Sequence, residues 1–575
     1  MGKVISIFIV FFIFSQTVAN SQEKFSNSIF TGKLPAKKII QLGWEQPSPQ
    51  ILKQNYKMME ATSAFDGVAI GLRDTVNGFA ITDGTVFTPV EIKKEWLKNS
   101  IADLKSCNFT KFKHNFLRIN TVPGTLKWND DHAWAVVAKN MGVMAWFAKQ
   151  SGLEGFMYDP ESYVAPQFGW KPSTGLTFNE AQQLARKRGG QIMSSIAQEY
   201  PDITVFGLFM FSLGRHALQS PDMEEVIKTD HYALYPAFLN GMLDKLPPKA
   251  RMVEGNEEAY YPASDLGLYL LYNDARMKTL AFIAPENVTK FKTQYSVGFG
   301  LYLDMYTNKL GGQYYFGSEA NRTRTERFRD RLTSALDITD EYVWVYNEEY
   351  KWWNIPFCEK QYQNSKRDFT LCEQKLPGVT AYMEYAKDPA GYVKKLLSTT
   401  TDFKNLAVNP GFEEQVEKVK EIKDWKNSDC PSGYLLYKDE KSDASVVVER
   451  GSGINNTNAA VTKGFEPVIL IQGIPVVSGE TYVVSVEGKK TGGSFSLQIS
   501  WLDDYNNLVD WYVSKDVAFM PIQDNVWGNA TIVIKVPQGR TKMQVFMNTF
   551  PVKETDRFYF DNLKVFKVND LLKIK

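Results

Sequence analysis

Apolar runs of strand length alternate with longer segments of helical periodicity from about residue 37 to residue 400. Each run is apolar enough to be covered on both faces, as the strands of a parallel sheet are. Alternation of this kind restricts the fold to βαβ units around a parallel sheet, an α/β class. The strand candidates are Lys38–Trp44, Phe65–Leu72, Lys113–Asn120, Leu153–Asp159, Ile203–Phe211, Arg251–Glu257, Ser296–Tyr306 and Tyr342–Asn347.

These eight units match the strand number and the size of a (β/α)8 TIM barrel with long loops. A doubly wound open sheet would show the same alternation, but no glycine-rich phosphate turn follows the first strand. We therefore predict a catalytic barrel over residues 37–400. The helical candidates are Pro49–Ala64, Val90–Lys105, Asp130–Gln150, Asn179–Tyr200, Met223–Leu246, Ser264–Lys290 and Arg324–Asp340.

The pattern changes after the polar stretch Ser398-Thr399-Thr400-Thr401. Short alternating strands separated by Gly, Asn, Asp and Pro turns follow it, which is typical of an all-β sandwich. We predict a linker over residues 401–408 and a jelly-roll sandwich over residues 409–575. Its clearest strands are Ala444–Glu449, Thr481–Glu487, Phe495–Ser500, Thr531–Val536 and Met543–Asn548.

The first residues have the pattern of a signal peptide. Lys3 supplies the positive charge, an apolar run follows from Val4 to Phe14, and Thr17-Val18-Ala19 offers small residues for cleavage. We predict a signal peptide over residues 1–19, an N-terminal extension over residues 20–36, and export to the periplasm, the cell surface or the medium. No other segment has the length and apolarity of a membrane span. In an oxidising compartment Cys358 and Cys372 could close a short loop.

The charge balance limits the class of partner. The formal net charge is +1, with 23% charged residues, so nothing favours nucleic acid or an anionic membrane as partner. Acidic and aromatic residues follow several predicted strands, whereas Lys and Arg are sparse there. Because the carboxyl ends of barrel strands share one rim, this composition indicates a neutral polysaccharide or glycan as substrate. The sequence leaves the oligomeric state open.

Two carboxylates end the fourth predicted strand. Pro160 cannot donate to a sheet ladder, so the strand stops near Asp159, and Glu161 lies two residues on. In extended backbone Asp159 and Glu161 point to the same side. Two negative charges at such a short distance raise the pKa of one of the carboxyl groups. A general acid near neutral pH requires a raised pKa of this kind. We assign Glu161 as the acid and Asp159 as the residue that tunes it; an ordinary turn with a helix cap is the alternative.

The same strand resembles the chitinase-like family 18 glycoside hydrolases, whose fourth strand carries Asp-Gly-x-Asp-x-Asp-x-Glu. This chain has Glu154-Gly155-Phe156-Met157-Tyr158-Asp159-Pro160-Glu161. It matches the Gly, the last Asp and the final Glu, and it departs at Glu154 and Met157. The resemblance implies that Glu161 is the acid and that Asp159 steadies an N-acetyl group of the substrate. The two departures leave the sugar specificity open.

A second catalytic carboxylate is sought on the other strands. Barrel hydrolases with acid and nucleophile on strands four and seven are similar in layout, but an Asn precedes their acid, where this chain has Pro160. Asn256-Glu257 contains that dipeptide, so Glu257 is a candidate nucleophile or base. Glu254 and Glu258 are interpreted as solvent or ion-pair residues. Candidate substrate-binding residues around the rim are Tyr158, Tyr163, Asn120, Tyr260, Asp304, Trp344, Glu348 and Trp352.

The C-terminal segment resembles jelly-roll carbohydrate-binding modules of the family 4/9/22 type. The resemblance rests on Asn409-Pro410-Gly411-Phe412-Glu413 at its start and Tyr559-Phe560-Asp561-Asn562-Leu563-Lys564-Val565 at its end. In that group the opening Glu and the closing Asp help to hold a structural calcium, which maps onto Glu413 and Asp561. The alternative is that Asp561 caps the last strand. No cofactor is expected for catalysis.

These features together predict an exported glycoside hydrolase that cleaves a polysaccharide or glycan by carboxylate acid/base catalysis. Two other classes remain open. The first is a non-catalytic surface glycan-binding protein with a degenerate barrel, and the second is a polysaccharide lyase that uses Tyr or His as base. A barrel alone does not decide between them, because this fold hosts many chemistries.

Overall fold

The computed structural model describes residues 36–43, 46–72, 80–262, 264–308, 315–316, 322–355, 370–399, 404–414, 416–418, 429–439, 442–502, 508–509, 515–519 and 523–573. The predicted signal peptide and Cys358 lie outside these residues, and with Cys358 the predicted disulfide to Cys372. The chain divides into two compact units, Met1–Lys387 and Asp388–Lys575. The predicted linker over residues 401–408 stays a prediction.

The strands of the first unit are those expected from the sequence. Their bounds are β1 Lys38–Gly43, β2 Gly67–Ile70, β3 Phe116–Asn120, β4 Gly155–Asp159, β5 Thr204–Gly207, β6 Arg251–Glu254, β7 Tyr295–Val297, β8 Phe299–Tyr302 and β9 Tyr342–Asn347. All pair in parallel, in the order β7-β6-β5-β4-β3-β2-β1-β9-β8. The predicted seventh strand is thus divided into β7 and β8.

Gly298 joins the two ends of this sheet. It alone separates β7, which pairs with β6, from β8, which pairs with β9. A Cβ at this position would lie 2.7 Å from the Tyr342 carbonyl oxygen, so the break requires glycine. The sheet is therefore a nearly closed parallel barrel, an arrangement consistent with the predicted TIM barrel.

Aromatic side chains from separate strands fill the barrel interior. The ring of Phe116 on β3 lies 5.7 Å from that of Phe206 on β5 and 5.7 Å from that of Tyr342 on β9. The Phe206 and Tyr342 rings are 5.3 Å apart. Contacts between strands that are not neighbours in the sheet show a packed core rather than a pore.

Helices follow the strands and cover the outside of the sheet. The helix Phe178–Glu199 shows why they form: Thr177 and Glu180 make a reciprocal capping box, and Ala181, Ala185, Ile192 and Ile196 form one buried face. The helices of the first unit are Pro49–Ala61, Lys98–Lys105, Asp131–Gln150, Phe178–Glu199, Met223–Lys228, Tyr235–Lys245, Asp265–Asn273, Val288–Gln294, Arg324–Ile338, Cys372–Lys375 and Val379–Lys387. Among the described residues, no helix combines the length and apolarity needed to cross a membrane.

The second unit consists of antiparallel sheets, consistent with a β-sandwich. One sheet has the order β12-β15-β21-β17-β18, with β19 also pairing with β17; another has the order β13-β14-β22-β16-β20; β10 and β11 form a small pair. The strands are β10 Val416–Lys418, β11 Asp429–Pro431, β12 Leu435–Tyr437, β13 Ser445–Glu449, β14 Ala459–Lys463, β15 Val468–Pro475, β16 Thr481–Lys490, β17 Ser494–Leu502, β18 Leu508–Val509, β19 Lys515–Ala518, β20 Gly528–Lys535, β21 Lys542–Phe550 and β22 Phe558–Lys567. The helices Pro389–Thr399 and Val568–Lys573 belong to this unit.

Alternate residues of these strands build one core between the two larger sheets. Leu497 and Ile499 from β17 share a buried cluster with Val484 and Val486 from β16. Alternation with a period of two places such residues on one face of each strand. The five strands predicted by position correspond to β13, β16, β17, β20 and β21, which lie in both sheets.

Gly155, at the start of β4, is packed closely against the backbone of Thr204 on β5. Its φ is +151°, and a Cβ there would lie 2.0 Å from the Thr204 carbonyl oxygen. We expect Gly155→Ala to lower the free energy of unfolding by about 2–4 kcal/mol, because the strand must move to relieve the clash. Urea unfolding followed by far-UV circular dichroism measures this. Gly84→Ala, which meets open space, is the control; equal stability of both variants would contradict the packing described.

Candidate active site

Asp159 is held at the carboxyl end of β4 by an arginine from the neighbouring strand. Its carboxyl group is almost fully buried, with 1% of the residue exposed. The Arg118 guanidinium donates to Asp159 Oδ2 through Nη2 at 2.7 Å and to Asp83 Oδ1 through Nη1 at 2.6 Å. Burial opposes the charged form of Arg118, yet the carboxylates of Asp159 and Asp83 raise its pKa. The guanidinium therefore stays charged between two acids.

Glu161 follows directly and is tied to the same carboxylate. Its backbone N–H donates to Asp159 Oδ1 at 3.0 Å, and its Oε2 accepts from the Tyr163 hydroxyl at 2.5 Å. Burial raises the pKa of Glu161, and the charge of Asp159 adds to the rise, whereas Tyr163 and Arg118 oppose it. A half-buried carboxyl with a raised pKa is suited to donate a proton near neutral pH.

Glu257 comes from β6, which is separated from β4 by β5. Asn256 precedes it with a left-handed φ of 45°, which ends the strand and starts the short 3-10 helix Glu257–Tyr260. Burial raises the pKa of Glu257 well above its ordinary value, and the charges of Glu161 and Asp159 raise it further, against a hydrogen bond from Tyr260. Three carboxyl groups from two separate strands therefore act on one another at this rim.

Tyr232 also faces these carboxyl groups, although the sequence did not indicate it. Burial raises the pKa of its phenol, and Glu161, Asp159 and Glu257 raise it further, so the hydroxyl stays protonated. Its ring packs on Phe209 with 5.1 Å between centroids. The sequence predicts one helix over Met223–Leu246, but the structure has the helices Met223–Lys228 and Tyr235–Lys245, and Tyr232 lies in the loop between them.

Two of the predicted substrate-binding residues lie near Asp159 but are largely buried. Asn120 pairs with Asp159 across the strands, and its Oδ1 accepts the Val122 N–H at 2.7 Å. Its Nδ2 is buried without a hydrogen-bond partner among the described residues. Tyr158 lies on the opposite face of β4 from Asp159 and stacks on Phe87 at 6.1 Å. That position does not favour contact with a substrate, whereas Tyr163 is 69% exposed at the rim.

Tyr260 is the centre of an aromatic wall beside Glu257. Its ring centroid lies 5.5 Å from that of Trp344 and 5.4 Å from that of Tyr302. Trp344 is fully buried and donates its indole N–H to the Gly255 carbonyl at 2.9 Å, so it forms the base of this wall. Tyr302 donates its hydroxyl to Glu348 Oε2 at 3.0 Å, which brings Glu348 to the same wall.

Asp304 and Trp352 stabilise the backbone and the core at this end of the barrel. Asp304 Oδ2 accepts the N–H groups of Glu348 and Glu349, both at 2.8 Å. Burial raises the pKa of Asp304 to about 7, and these two hydrogen bonds oppose the rise. Trp352 donates its indole N–H to Asn347 Oδ1 at 3.0 Å and packs edge-on against Phe65 at 4.8 Å. Both side chains are buried, which does not favour the predicted contact of either one with a substrate.

Of the two acids expected to be solvent or ion-pair residues, Glu258 is ion-paired, whereas Glu254 is buried and hydrogen-bonded, contrary to the prediction. Glu258 pairs with Arg215. Glu254 is fully buried, and its carboxylate accepts four hydrogen bonds. The donors are the N–H groups of Met210, Ser212 and Asn256, at 2.9, 2.9 and 3.1 Å, and the Tyr295 hydroxyl at 2.7 Å.

A groove of about 450 Å³ lies on the outside of the barrel rather than at the rim. Phe178, Ile227, Pro236 and Phe282 are among the residues that line it, and none of the three interacting carboxylates does. The groove therefore belongs to the helix layer, and the candidate site is the carboxylate rim.

Glu413 and Asp561, the predicted calcium ligands, lie close together in the second unit. A Cβ built on Gly411 would contact both side chains, at 3.7 Å for Glu413 Cγ and 3.9 Å for Asp561 Oδ1. Asp561 is fully buried, its Oδ2 accepts the Ile454 N–H and the Thr457 hydroxyl, and Glu413 Oε1 accepts the Asn458 N–H. Within the described residues, no group of three or more His, Cys, Asp or Glu side chains could hold a metal ion. A cation here would take its further oxygens from the backbone or water.

No family model matches this chain, and no curated protein is similar to it. Solved structures that it resembles include the CBM22-1 and GH10 modules of endo-1,4-beta-D-xylanase 10B from Clostridium thermocellum, at 16% identity and a TM-score of 0.20 over 29% of this chain. The arabinose-bound α-L-arabinofuranosidase MgGH51 matches 28% of this chain at 12% identity and a TM-score of 0.22. TmCBM61 in complex with beta-1,4-galactotriose matches 29% of this chain at 20% identity and a TM-score of 0.20.

The matched regions differ in how much of each neighbour they span. They cover 29% of the xylanase chain and 26% of the arabinofuranosidase chain, but 99% of the TmCBM61 chain. The neighbours thus include glycoside hydrolases and carbohydrate-binding modules, at similarities too low to assign an activity.

The four hydrogen bonds to Glu254 predict a large structural effect of its loss. We expect Glu254→Gln to lower the free energy of unfolding by about 3 kcal/mol, since the amide nitrogen would face buried N–H donors. Urea unfolding measures this change. Glu258→Gln, half-buried and ion-paired, is the matched control, with an expected loss below about 1 kcal/mol. A stable Glu254→Gln protein would show that the four donors have other partners.

Proposed function

We propose that this protein is an exported glycoside hydrolase, with a TIM-barrel catalytic domain and a jelly-roll carbohydrate-binding module. The observation that carries the proposal is the meeting of Asp159, Glu161 and Glu257 at the carboxyl end of the barrel strands. Burial and mutual repulsion raise the pKa values of Glu161 and Glu257. Glycoside hydrolysis requires such a pair, in which one carboxyl is protonated and the other ionised.

In the proposed reaction Glu161 donates its proton to the oxygen of the scissile glycosidic bond. As that bond breaks, the anomeric carbon gains positive charge, which the ionised carboxylate of Asp159 stabilises. Protonation of Glu161 removes one of the neighbouring charges that raise the pKa of Glu257, which favours the ionised form of Glu257. The ionised Glu257 then attacks the anomeric carbon, or it takes a proton from the water that attacks this carbon. In the overall reaction one glycosidic bond and one water molecule are converted into two products that each carry a new hydroxyl group.

The proposed substrate is a neutral glycan. Arg118 is bound to Asp83 and Asp159, so its charge is not offered to a substrate carboxylate or phosphate. Among the described residues, Arg215 is likewise paired, with Glu258, whereas Glu161, Glu257 and Glu348 supply carboxylates at the rim. The hydroxyl groups of Tyr163 and Tyr232 can bond to sugar hydroxyls, and the exposed ring of Tyr163 offers an apolar face, whereas Tyr260 is buried.

Variants of the two glutamates separate their roles. Wild type, Glu161→Gln and Glu257→Gln would be screened for hydrolysis of an array of neutral and acidic glycans. We expect a loss of about 10²–10⁴-fold for each variant on natural glycans. An aryl glycoside with a good leaving group should restore much of the rate of Glu161→Gln, because such a group leaves without a proton. It should not restore Glu257→Gln.

The matched control is Glu91→Gln, which removes a surface carboxylate paired with Lys139 and should leave the rate unchanged. Equal activity of wild type and Glu161→Gln would remove Glu161 from the mechanism. Binding to the array without hydrolysis by the wild type would instead support the non-catalytic glycan-binding alternative.

We also propose that Glu413 and Asp561 help to bind a structural calcium in the second unit. Burial raises the pKa of Asp561, and the nearby charge of Glu413 raises it further. A cation would relieve this repulsion and tie the start of the unit to its last strand.

Calcium removal tests that site. Chelation by EDTA should lower the unfolding temperature of the second unit, measured by scanning calorimetry, and added calcium should restore it because a ligand that binds the folded state stabilises it. Asp561→Asn should fold but lose the response to calcium. An unfolding temperature of the wild type that is indifferent to calcium would rule the site out.

A further inference from the structure

Three consecutive βα units contribute one residue each to a buried ionic chain beside the catalytic carboxyl groups. Asp83 comes from the segment Ile81–Thr85 after β2, Arg118 from β3 and Asp159 from β4. The side chains of Asp159, Arg118 and Asp83 are 2%, 16% and 30% exposed. The chain thus runs from the partly exposed Asp83 inward to Asp159, which touches the backbone of Glu161.

We propose that Asp83 and Arg118 are positioning residues that hold Asp159 ionised beside Glu161 and Glu257, so that Asp159 provides charge and never the proton. This inference rests on the proposed function and adds to it an assignment of protons among the carboxyl groups. A carboxyl as buried as Asp159 would favour its neutral form without a cation in contact. Arg118 supplies that cation, with a fixed fork that matches two carboxylates at once.

The second carboxylate, Asp83, sets the net charge of the ionic group formed by Asp83, Arg118 and Asp159. One guanidinium between two carboxylates leaves one negative charge, whereas Arg118 with Asp159 alone would be neutral. Burial disfavours ionisation of Glu161 and Glu257 most strongly, and the negative charge of Asp159 adds to this effect at both. Asp83 thereby influences the reaction without touching the substrate.

The other groups that face these carboxyls are uncharged phenols. Tyr163 donates to Glu161, Tyr260 bonds to Glu257, and Tyr232 faces both glutamates and Asp159. The pKa values of all three phenols are raised, and the adjacent carboxylates contribute to each rise, so all three stay protonated. The midpoint of the Glu161 titration therefore depends on the charges of Asp159, Arg118, Asp83 and Glu257.

Infrared titration tests the inference without a substrate, because protonated carboxyl groups have their own C=O stretching band. The difference in intensity of that band between the wild type and Glu161→Gln measures the protonation of Glu161. We expect Asp83→Asn to move its midpoint to lower pH by about half a unit, since a negative charge is removed nearby. The control Glu91→Gln should leave the midpoint in place.

Arg118→Met gives the complementary result. Asp159, buried without its cation, should take up a proton at neutral pH, and the added band should vanish in the double variant Arg118→Met/Asp159→Asn. An unshifted Glu161 midpoint in Asp83→Asn, or no added band in a folded Arg118→Met protein, would overturn the inference. If Arg118→Met does not fold, Asp83→Asn decides alone.

Activity separates this inference from the proposed function. On a glycan that the wild type cleaves, the pH profile of kcat/KM for Asp83→Asn should shift in the same direction as the infrared midpoint. Shifted infrared titrations without hydrolysis of any glycan would support the ionic chain and contradict the hydrolase. Hydrolysis with unshifted titrations would support the hydrolase and remove the role of Asp83 and Arg118.

Discussion

A parallel sheet satisfies the backbone groups of its outer strands when its two edges meet, and here they meet at Gly298. The pairing of β7 with β6 and of β8 with β9 on either side of this residue brings the edges together. Because all the strands run in the same direction, closure gathers their carboxyl ends at one rim. The rest of the candidate site depends on this constraint, since Glu161 and Glu257 follow strands that are not neighbours.

Gathering acids at one rim has an electrostatic consequence. Asp159, Glu161 and Glu257 cannot all be ionised without repulsion, and burial strengthens that repulsion. Two responses are visible in the structure. Arg118 pairs with Asp159 directly, whereas Glu161 and Glu257 have raised pKa values and, among the described residues, accept hydrogen bonds from the neutral phenols of Tyr163 and Tyr260. One carboxyl of this set is thus paired with a cation, and the other two favour their protonated forms more than an ordinary glutamate does.

The aromatic residues around the rim separate into two groups by burial. Trp344 and Trp352 bond their indole N–H groups to Gly255 and Asn347 and support the barrel end. Tyr163, exposed beside Glu161, is available to a ligand. A rim rich in aromatic residues is therefore partly core and partly surface, and composition by itself does not separate the two.

Several parts of this arrangement could be read from the chain. Strand positions followed from apolar runs bounded by turn residues, and Pro160 located the end of β4 and hence Asp159 and Glu161. The Asn-Glu step at Glu257 also had a local signal. Asp83 had none, because it lies in a short π-helical turn after β2 and reaches its partner, Arg118, only on folding. The division of the seventh strand at Gly298 was missed, since one glycine in an apolar run is compatible with a continuous strand.

The sequence by itself determined the strand and helix pattern, the parallel sheet and the acids that end two of its strands, because these depend on local periodicity and backbone preferences. Only the tertiary structure decided which acids interact, which of them is paired with Arg118, and that Tyr232 faces all three. Charge–charge interactions and burial depend on distances between residues far apart in the chain. Those distances are set by closure of the barrel and by the paths of its loops.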